Sequence, residues 1–205
     1  MGYCKLLEKL NEEIQYAKDN FIPIIRDKSA KFLYDYINAN KFKQVLEIGT
    51  AIGFSGSIIL SAGAESLTTI DINEKSLIVA KNTFEKLGFA DRVKIYNRDA
   101  KNVLDELVDA GKKFDLIFLD GAKGQYINYL PNLKKLLNTN GIIFAVNVLL
   151  QGMVESTDKI PHRKRTMVVN LRKYLNAVNS EEFETELVRI EDGMAISKYK
   201  GEVLC

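Results

Sequence analysis

The stretch Val45-Leu46-Glu47-Ile48-Gly49-Thr50-Ala51-Ile52-Gly53-Phe54-Ser55 decides the fold of this chain of 205 residues. It begins as an apolar run of the β type, breaks into a turn with two glycines, and gives way to a helical pattern over residues 57–62. Strand, glycine turn and helix in this order bring backbone N–H groups up to a charged small molecule in α/β folds. Glycine suits the turn because it tolerates positive φ and lets a ligand approach the backbone.

Strand-like and helical patterns alternate from this stretch onward. Strands are predicted at 44–48, 66–71, 93–96, 114–119 and 141–146, and helices at 55–63, 74–87, 101–110 and 124–137. The strands are nearly continuous apolar runs, as expected when helices cover both faces of a sheet. This alternation predicts an α/β fold with a parallel, doubly wound sheet.

The two ends of the chain add to this core. Two helices are predicted within residues 1–40, one over 3–18 and one that starts from a cap at Asp27 or Ser29. A helix near 166–178 precedes strands at 183–190 and 194–198, and the turn Glu191-Asp192-Gly193 predicts a hairpin between them. We therefore expect one domain over residues 1–205, with a mixed sheet of about seven strands that ends in an antiparallel hairpin.

Composition and charge exclude several classes of protein. With 46% hydrophobic and 27% charged residues the chain is typical of a globular protein, and a net charge of +2 gives no global argument for nucleic-acid binding. No apolar run approaches the ~20 residues that span a bilayer, and acids near the N-terminus argue against a secretory signal. Cys4 and Cys205 lie too far apart for metal-ligand spacing, so reduced thiols in a cytoplasmic protein are expected.

Polar residues follow the predicted strands, at the edge of the sheet where α/β proteins bind ligands. The five strand ends carry, in turn, Glu47, Asp71, Asp99, Asp120 and Asn147. Asp71 follows the glycine turn by roughly 20 residues, the spacing at which an acid takes two ribose hydroxyls. An aspartate after a strand is often only a helix cap or turn former. Three such acids together with a glycine turn favour a cofactor pocket.

The spacing of the glycines narrows the choice of cofactor. Gly49 and Gly53 do not form the G-x-G-x-x-G pattern that holds a dinucleotide pyrophosphate. An acid, Glu47, lies beside the turn instead, which suits a cofactor with a cationic centre and an amino-acid end. S-adenosylmethionine has both features.

Several motifs carry a resemblance to a known family. They are V-L-E-I-G-T-A-I-G-F-S at 45–55, T-I-D at 69–71, R-D-A at 98–100, F-L-D-G-A-K-G-Q-Y at 118–126 and N-V-L-L-Q-G at 147–152. These look like the catechol-type, class I S-adenosylmethionine-dependent O-methyltransferases, which implies a Rossmann-like methyltransferase fold. I-P-I at 22–24, R-K-R at 163–165, F-E-T at 183–185 and E-D-G-M-A-I-S at 191–197 resemble the bacterial branch, which includes the tRNA 5-hydroxyuridine methyltransferase.

The resemblance implies a set of cofactor contacts. The glycine turn and its neighbours would hold the methionine part of S-adenosylmethionine. Asp71 would take the ribose hydroxyls, while Asp99 and Ala100 would face the adenine. The residues assigned to the methionine part are Glu47, Gly49, Thr50, Gly53 and Ser55.

The same resemblance assigns the chemistry to Asp120 and Lys123. Asp120 would lie near the sulfur that donates the methyl group and would also be a metal ligand, and Lys123 would be the general base for the acceptor hydroxyl. The family places an aspartate and an asparagine after the fifth strand as further metal ligands, and this chain has Val146 and Asn147 there. Valine cannot bind a metal, and magnesium prefers one or two carboxylates. We therefore expect a weakened or absent magnesium site on Asp120 and Asn147 alone.

Two features bear on the methyl acceptor. The basic segment His162-Arg163-Lys164-Arg165, which Arg172 and Lys173 continue, is either a solvated face or a contact for RNA phosphates, chiefly through Arg163 and Arg165. Tyr126 either lines the acceptor pocket or packs on the helix that follows it.

Three functions are compatible with these features. Methylation of 5-hydroxyuridine in tRNA is the leading interpretation, and methylation of a small catechol-like molecule is the second. Val146 motivates the third, a protein that binds S-adenosylmethionine with an impaired metal site and impaired activity. The resemblance also favours a homodimer, and the N-terminal helices could form its interface or cover the acceptor site.

Overall fold

The computed structural model describes residues 1–201, so the prediction for Cys205 lies outside the described residues. The chain folds as two compact units, one over Met1–Val103 and one that begins at Leu104. The expectation of a single domain over residues 1–205 stays a prediction. Each unit is described in turn.

The strands of the first unit run parallel in the order β3-β2-β1. Their bounds are β1 Gln44–Ile48, β2 Ser66–Asp71 and β3 Val93–Asn97. The first two match the predicted bounds, and β3 is one residue longer than predicted. In the β1–β2 register Glu47 lies opposite Thr69, so these two polar side chains share one face of the sheet.

Helices of the first unit cover this sheet. They are α1 Tyr3–Lys9, α2 Asn11–Asp19, α3 Asp27–Asn40, α4 Phe54–Ser61, α5 Glu74–Lys86 and the start of α6 Ala100–Asp109. Every residue of α4 is buried, because α1 and α3 pack on it from one side and β2 lies on the other. The helix that follows the glycine turn is therefore fixed on all sides.

The prediction of one helix over residues 3–18 is wrong, since two helices meet at Leu10. Its backbone has φ −94° and ψ 9°, outside the α-helical range, and its side chain is fully buried together with Leu6. The helical spacing of apolar residues continues across this bend, so the sequence pattern does not reveal where the first helix ends. The next helix, α3, starts at Asp27 without a side-chain cap, so neither predicted cap residue performs that role.

The second unit closes the sheet with a hairpin, as predicted. β4 Phe114–Leu119 is parallel to β5 Leu137–Val146, which pairs with β7 Met194–Tyr199 in antiparallel fashion, and β6 Phe183–Val188 pairs with β7. Residues 1–201 contain seven strands, and their mixed parallel and antiparallel pairing confirms the predicted fold class. α7 Tyr126–Leu136 and α8 Arg165–Val178 pack against each other in this unit. Within residues 1–201, no helix is long and apolar enough to cross a lipid bilayer.

Candidate active site

The Gly49–Gly53 turn has a backbone that ordinary side chains resist. Gly49 has φ 106° and Gly53 has φ 80°, both in the left-handed region. The amide of Gly49 donates to the carbonyl of Ile70 at 2.9 Å, so the turn is fastened to the end of β2. A Cβ at Gly53 would come within 3.2 Å of the Ala80 backbone, and this close approach explains glycine at that position.

Glu47 lies beneath this turn and is fully buried. Its Oε1 accepts a hydrogen bond from Ser55 Oγ at 2.5 Å, and its Oε2 accepts one from Thr69 Oγ1 at 2.6 Å. Thr69 has only one hydroxyl proton, so in its 2.6 Å contact with Thr50 Oγ1 the donor is Thr50. The turn is therefore stabilised from the buried side by Glu47, Thr50 and Ser55. The half-buried backbone of Gly49 is the part that a ligand could approach.

Asp71 connects the turn to the second strand. Its Oδ2 accepts a hydrogen bond from the amide of Ala51 at 2.8 Å, and its Oδ1 accepts one from the amide of Asn73 at 2.9 Å. The cap of α5 is Asn73, whose side chain accepts from Ser76 N. Asp71 is thus not a helix cap, although its bond to the Asn73 amide makes it a turn former. Each of its oxygens keeps a further lone pair for a ligand hydroxyl.

Asp99 precedes α6 and is exposed to solvent. Its Oδ1 accepts a hydrogen bond from the amide of Lys101 at 2.8 Å, so Asp99 does serve as a turn former at a helix start. Ala100, the first residue of α6, is half-buried. The assignment of both residues to an adenine contact stays a prediction.

Asp120 and Lys123 form an ion pair in the segment that follows β4. Lys123 Nζ lies 3.3 Å from Asp120 Oδ1, and the two side chains are only 22% and 17% exposed. Burial raises the pKa of Asp120, and the positive charge of Lys123 opposes this rise. The structure thus brings together the two side chains to which the resemblance assigns the chemistry.

Tyr126 packs inside the second unit, and its predicted contact with the acceptor stays a prediction. Its side chain is fully buried, its ring meets that of Tyr174 edge to face at 5.6 Å, and its hydroxyl donates to the Leu119 carbonyl at 2.9 Å. Burial, followed by the charge of Asp120, raises the pKa of Tyr126 well above its ordinary value. The hydroxyl therefore keeps its proton and remains a donor.

The position that the family gives to a second metal carboxylate is apolar in this structure. Val146 is 1% exposed and pairs with Met194 of β7, while Asn147 follows with φ 55° and is half-buried. Among residues 1–201, no group of three or more His, Cys, Asp or Glu side chains is placed to hold a metal. Asp120 and Asn147 are the two predicted oxygen ligands that remain, and the weakened or absent magnesium site stays a prediction.

The basic segment 162–165 divides into free and engaged residues. His162 and Arg163 are exposed, and neither side chain makes a hydrogen bond or an ion pair within the described part of the chain. Arg165 is exposed too, although its Nε donates to the Ile160 carbonyl at 3.3 Å. Arg172 is different, because its guanidinium holds the carbonyls of Val154 and Ser156 at 2.8 and 2.6 Å. Arg172 thus fixes a loop and does not extend the basic surface.

Two residues that sequence reasoning missed hold these parts in place. Thr69 binds Glu47, and Asn170 of α8 donates to the carbonyl of Gly124 at 2.7 Å, next to Lys123. A polar residue inside the apolar strand β2 was a usable signal for Thr69. Asn170 had none, because it meets Gly124 only through the packing of α8 on the 120–125 segment.

Comparison with known proteins shows one consistent similarity. A family model described as O-methyltransferase matches residues 3–200. A caffeoyl-CoA O-methyltransferase of Eucalyptus globulus is 30% identical over 175 residues, which span 81% of this chain and 69% of the relative.

Solved structures agree on the fold. A Staphylococcus aureus protein with a provisional caffeoyl-CoA O-methyltransferase assignment superposes with a TM-score of 0.83 and 28% identity, over 97% of this chain and 93% of its own. An O-methyltransferase of Bacillus cereus in complex with SAH gives a TM-score of 0.84 over 94% of this chain and 91% of its own. At 21% identity, this second similarity concerns the fold alone.

Proposed function

The chain belongs to the O-methyltransferase family, and we propose that it transfers a methyl group from S-adenosylmethionine to the 5-hydroxyl group of 5-hydroxyuridine in tRNA. The observation that carries the chemistry is the Asp120–Lys123 pair at the end of β4. The observation that favours a phosphate-bearing acceptor is the exposed His162–Arg163 pair of basic side chains. A tRNA substrate would place the enzyme in the cytoplasm.

The glycine turn is the part of the chain that fits the cofactor. Glycine at position 53 serves packing, because a Cβ there would meet Ala80 and Phe84. Gly49, with φ 106° and a half-buried position, is the part of the turn whose backbone a ligand could approach. Under this proposal the turn holds the methionine part, and Asp71 accepts hydrogen bonds from the ribose. S-adenosylmethionine supplies the electrophilic methyl group on its sulfonium.

Lys123 performs the proton transfer in this proposal. The ammonium that pairs with Asp120 first gives a proton to solvent. The neutral amine then takes the proton of the acceptor hydroxyl at Nζ, and the oxygen attacks the methyl carbon in line with the bond to sulfur. Asp120, 3.3 Å away, then stabilises the ammonium that forms. The sulfur leaves with the electron pair of the broken bond, so the cofactor loses its positive charge and Lys123 gains one.

The proposal assigns no step to a metal, because Val146 removes the second carboxylate and leaves Asp120 and Asn147 as the remaining predicted ligands. We expect methyl transfer to persist in EDTA and to respond weakly to added Mg²⁺. Strong inhibition by EDTA that Mg²⁺ restores would contradict this part of the proposal.

A second acceptor has specific support. The Eucalyptus globulus relative is described as acting on caffeoyl-CoA. Like tRNA, caffeoyl-CoA has both a hydroxyl that can be methylated and phosphate groups. Arg163 could therefore bind either the RNA backbone or a CoA ester. A catechol without phosphate would not need it.

Transfer of a labelled methyl group to three acceptors tests the proposal. They are tRNA that carries 5-hydroxyuridine, caffeoyl-CoA and free catechol. We expect the double variant Arg163→Glu, Arg165→Glu to reduce the labelling of tRNA at least tenfold. Lys112→Glu, at an exposed lysine outside the basic segment, should leave it unchanged. If caffeoyl-CoA is labelled faster than tRNA, the proposed tRNA acceptor is wrong and caffeoyl-CoA takes its place. Cofactor binding without labelling of any acceptor would favour a protein that binds S-adenosylmethionine without transferase activity.

The proposal extends to a homodimer. Tyr16 of α2 and Phe21, just after α2, are 41% and 93% exposed. These exposed aromatic side chains could pack against a second copy of the chain. Sedimentation of the protein at micromolar concentration should give twice the chain mass, and Phe21→Asp should shift it toward the monomer. A monomer at all concentrations would contradict this extension.

A further inference from the structure

The segment from Asp120 to Gln125 is closed at its base by a single side chain. The Tyr126 hydroxyl donates to the Leu119 carbonyl, seven residues earlier, so both ends of the segment are fixed to each other. Inside it, the Gln125 amide donates to the Ala122 carbonyl at 2.8 Å and forms the short 3₁₀ turn that carries Lys123. These bonds fix the base of the segment but leave the orientation of its tip to other contacts.

The tip is held from outside by α8. Asn170 Nδ2 donates to the Gly124 carbonyl at 2.7 Å, and a Cβ at Gly124 would lie 3.8 Å from Met167 Cα, so the helix backbone passes close to the turn. Asn170 is half-buried. A carbonyl held by a well-aligned amide cannot rotate freely, and the Gly124 carbonyl belongs to the Gly124–Gln125 peptide, which is one residue beyond Lys123.

The same helix begins at the basic segment. α8 starts at Arg165, directly after His162–Lys164, and Asn170 follows five residues later. At ~1.5 Å rise per residue, a rigid helix therefore connects the two places over roughly 8 Å. Because the helix is rigid over this distance, a displacement of its first turn would also move the Asn170 amide that holds the Gly124 carbonyl.

We infer that Asn170 is a positioning residue that orients Lys123 through the Gly124 carbonyl, and that α8 links engagement of the acceptor at 163–165 to this orientation. The second half of this inference rests on the proposed function. Asn170 touches neither the acceptor nor the cofactor in this account. Its effect is on the direction of the Lys123 amine, and a base displaced by ~1 Å loses up to about 100-fold in rate.

Two variants and one control test the inference. Asn170→Ala removes the donor, and Asn170→Gln retains an amide. The control, Asn176→Ala, alters an exposed asparagine of α8 whose side chain makes no hydrogen bond within residues 1–201. We expect Asn170→Ala to lower kcat about tenfold or more at an unchanged KM for S-adenosylmethionine, with partial recovery in Asn170→Gln. Asn176→Ala should match the wild type. An unchanged kcat in Asn170→Ala, or a lower Tm as its only effect, would overturn the inference.

A readout independent of turnover separates this inference from the proposed function. Hydrogen exchange of the Gln125 amide should accelerate at least tenfold in Asn170→Ala and not in Asn176→Ala, because the turn loses its outside support. If the wild type methylates none of the acceptors, the proposed function fails, and exchange at Gln125 still decides whether Asn170 holds the turn. Equal exchange in Asn170→Ala and the wild type would overturn the inference in either case.

Discussion

The Gly49–Gly53 turn and the Asp120–Gln125 segment both follow a parallel strand, yet they are built in opposite ways. The turn stands on a buried network in which each oxygen of Glu47 has a hydroxyl donor. The segment carries two partly exposed charged side chains that face each other at 3.3 Å. A site that holds a ligand through its backbone benefits from rigidity, whereas a site that moves a proton needs side chains that solvent and substrate can reach.

Lys123→Met tests the segment and should give the largest effect. Loss of a general base costs about 10²–10⁴-fold in kcat, and we expect this range with unchanged binding of S-adenosylmethionine. Steady-state transfer and calorimetric cofactor titration measure the two quantities. Lys112→Met, at an exposed lysine after α6, serves as the control and should retain full activity. A Lys123→Met enzyme with more than half of the wild-type kcat would remove Lys123 from the mechanism.

Gly56→Ala tests the packing that supports the turn. A Cβ at Gly56 would lie 2.8 Å from Leu67 Cδ2 and 3.0 Å from Phe84 Cζ, inside a helix with no exposed face. We expect a loss of about 3 kcal/mol in the free energy of unfolding, together with weaker cofactor binding. Gly124→Ala is the matched change in the segment, where the nearest neighbour would be 3.8 Å away, and should cost about 0.5 kcal/mol or less. Equal losses in the two variants would erase the contrast between the two regions.

Ser55→Ala removes one donor from the buried Glu47. Because Glu47 has no exposed surface, the unsatisfied oxygen should cost about 2 kcal/mol in the free energy of unfolding. Ser61, in the same helix, offers a control, since its buried hydroxyl has no hydrogen-bond partner within residues 1–201. Ser61→Ala should be neutral or stabilising by chemical denaturation. A Ser55→Ala protein as stable as Ser61→Ala would show that the network does not brace the turn.

Asp120→Asn should give the smallest effect, one that depends on pH. Burial raises the pKa of Asp120 above its unfolded value, so the contribution of this group to stability is fully present below the unfolded pKa and is lost as pH rises through the folded pKa. Asparagine carries no such charge. In EDTA, Asp120→Asn should therefore gain stability relative to the wild type between pH 4 and pH 7. The charge of Lys123 limits this gain, and a relative loss over that interval would contradict the direction.

The contrast also explains what the sequence could predict. The bounds of β1, β2 and β4 could be predicted from apolar runs that end at a glycine or an aspartate. Burial of a strand leaves a hydrophobic pattern among neighbouring residues, so the sequence alone displays it. The bend at Leu10 has no such signature, since both helices bury leucines at the same spacing. Local pattern therefore sets the elements but not every break between them.

The same distinction between local pattern and distant contacts applies to the candidate site. Asp71 and Asp120 could be selected because each lies at or just after a strand end, whereas Lys123 follows from the family resemblance. The buried state of Glu47 and the contact between Asn170 and Gly124 could not be predicted, because both depend on side chains that are distant in sequence. The packing of Tyr126 against Tyr174 has the same cause.

The central claim is that Lys123 transfers the acceptor proton without a metal. A single-turnover assay in EDTA tests it most directly, with labelled S-adenosylmethionine, tRNA that carries 5-hydroxyuridine, and the wild-type and Lys123→Met proteins. The account predicts labelled tRNA with the wild type and at least 100-fold slower labelling with Lys123→Met at equal cofactor binding. Equal rates for the two proteins, or labelling by the wild type only after Mg²⁺ is added, would contradict it.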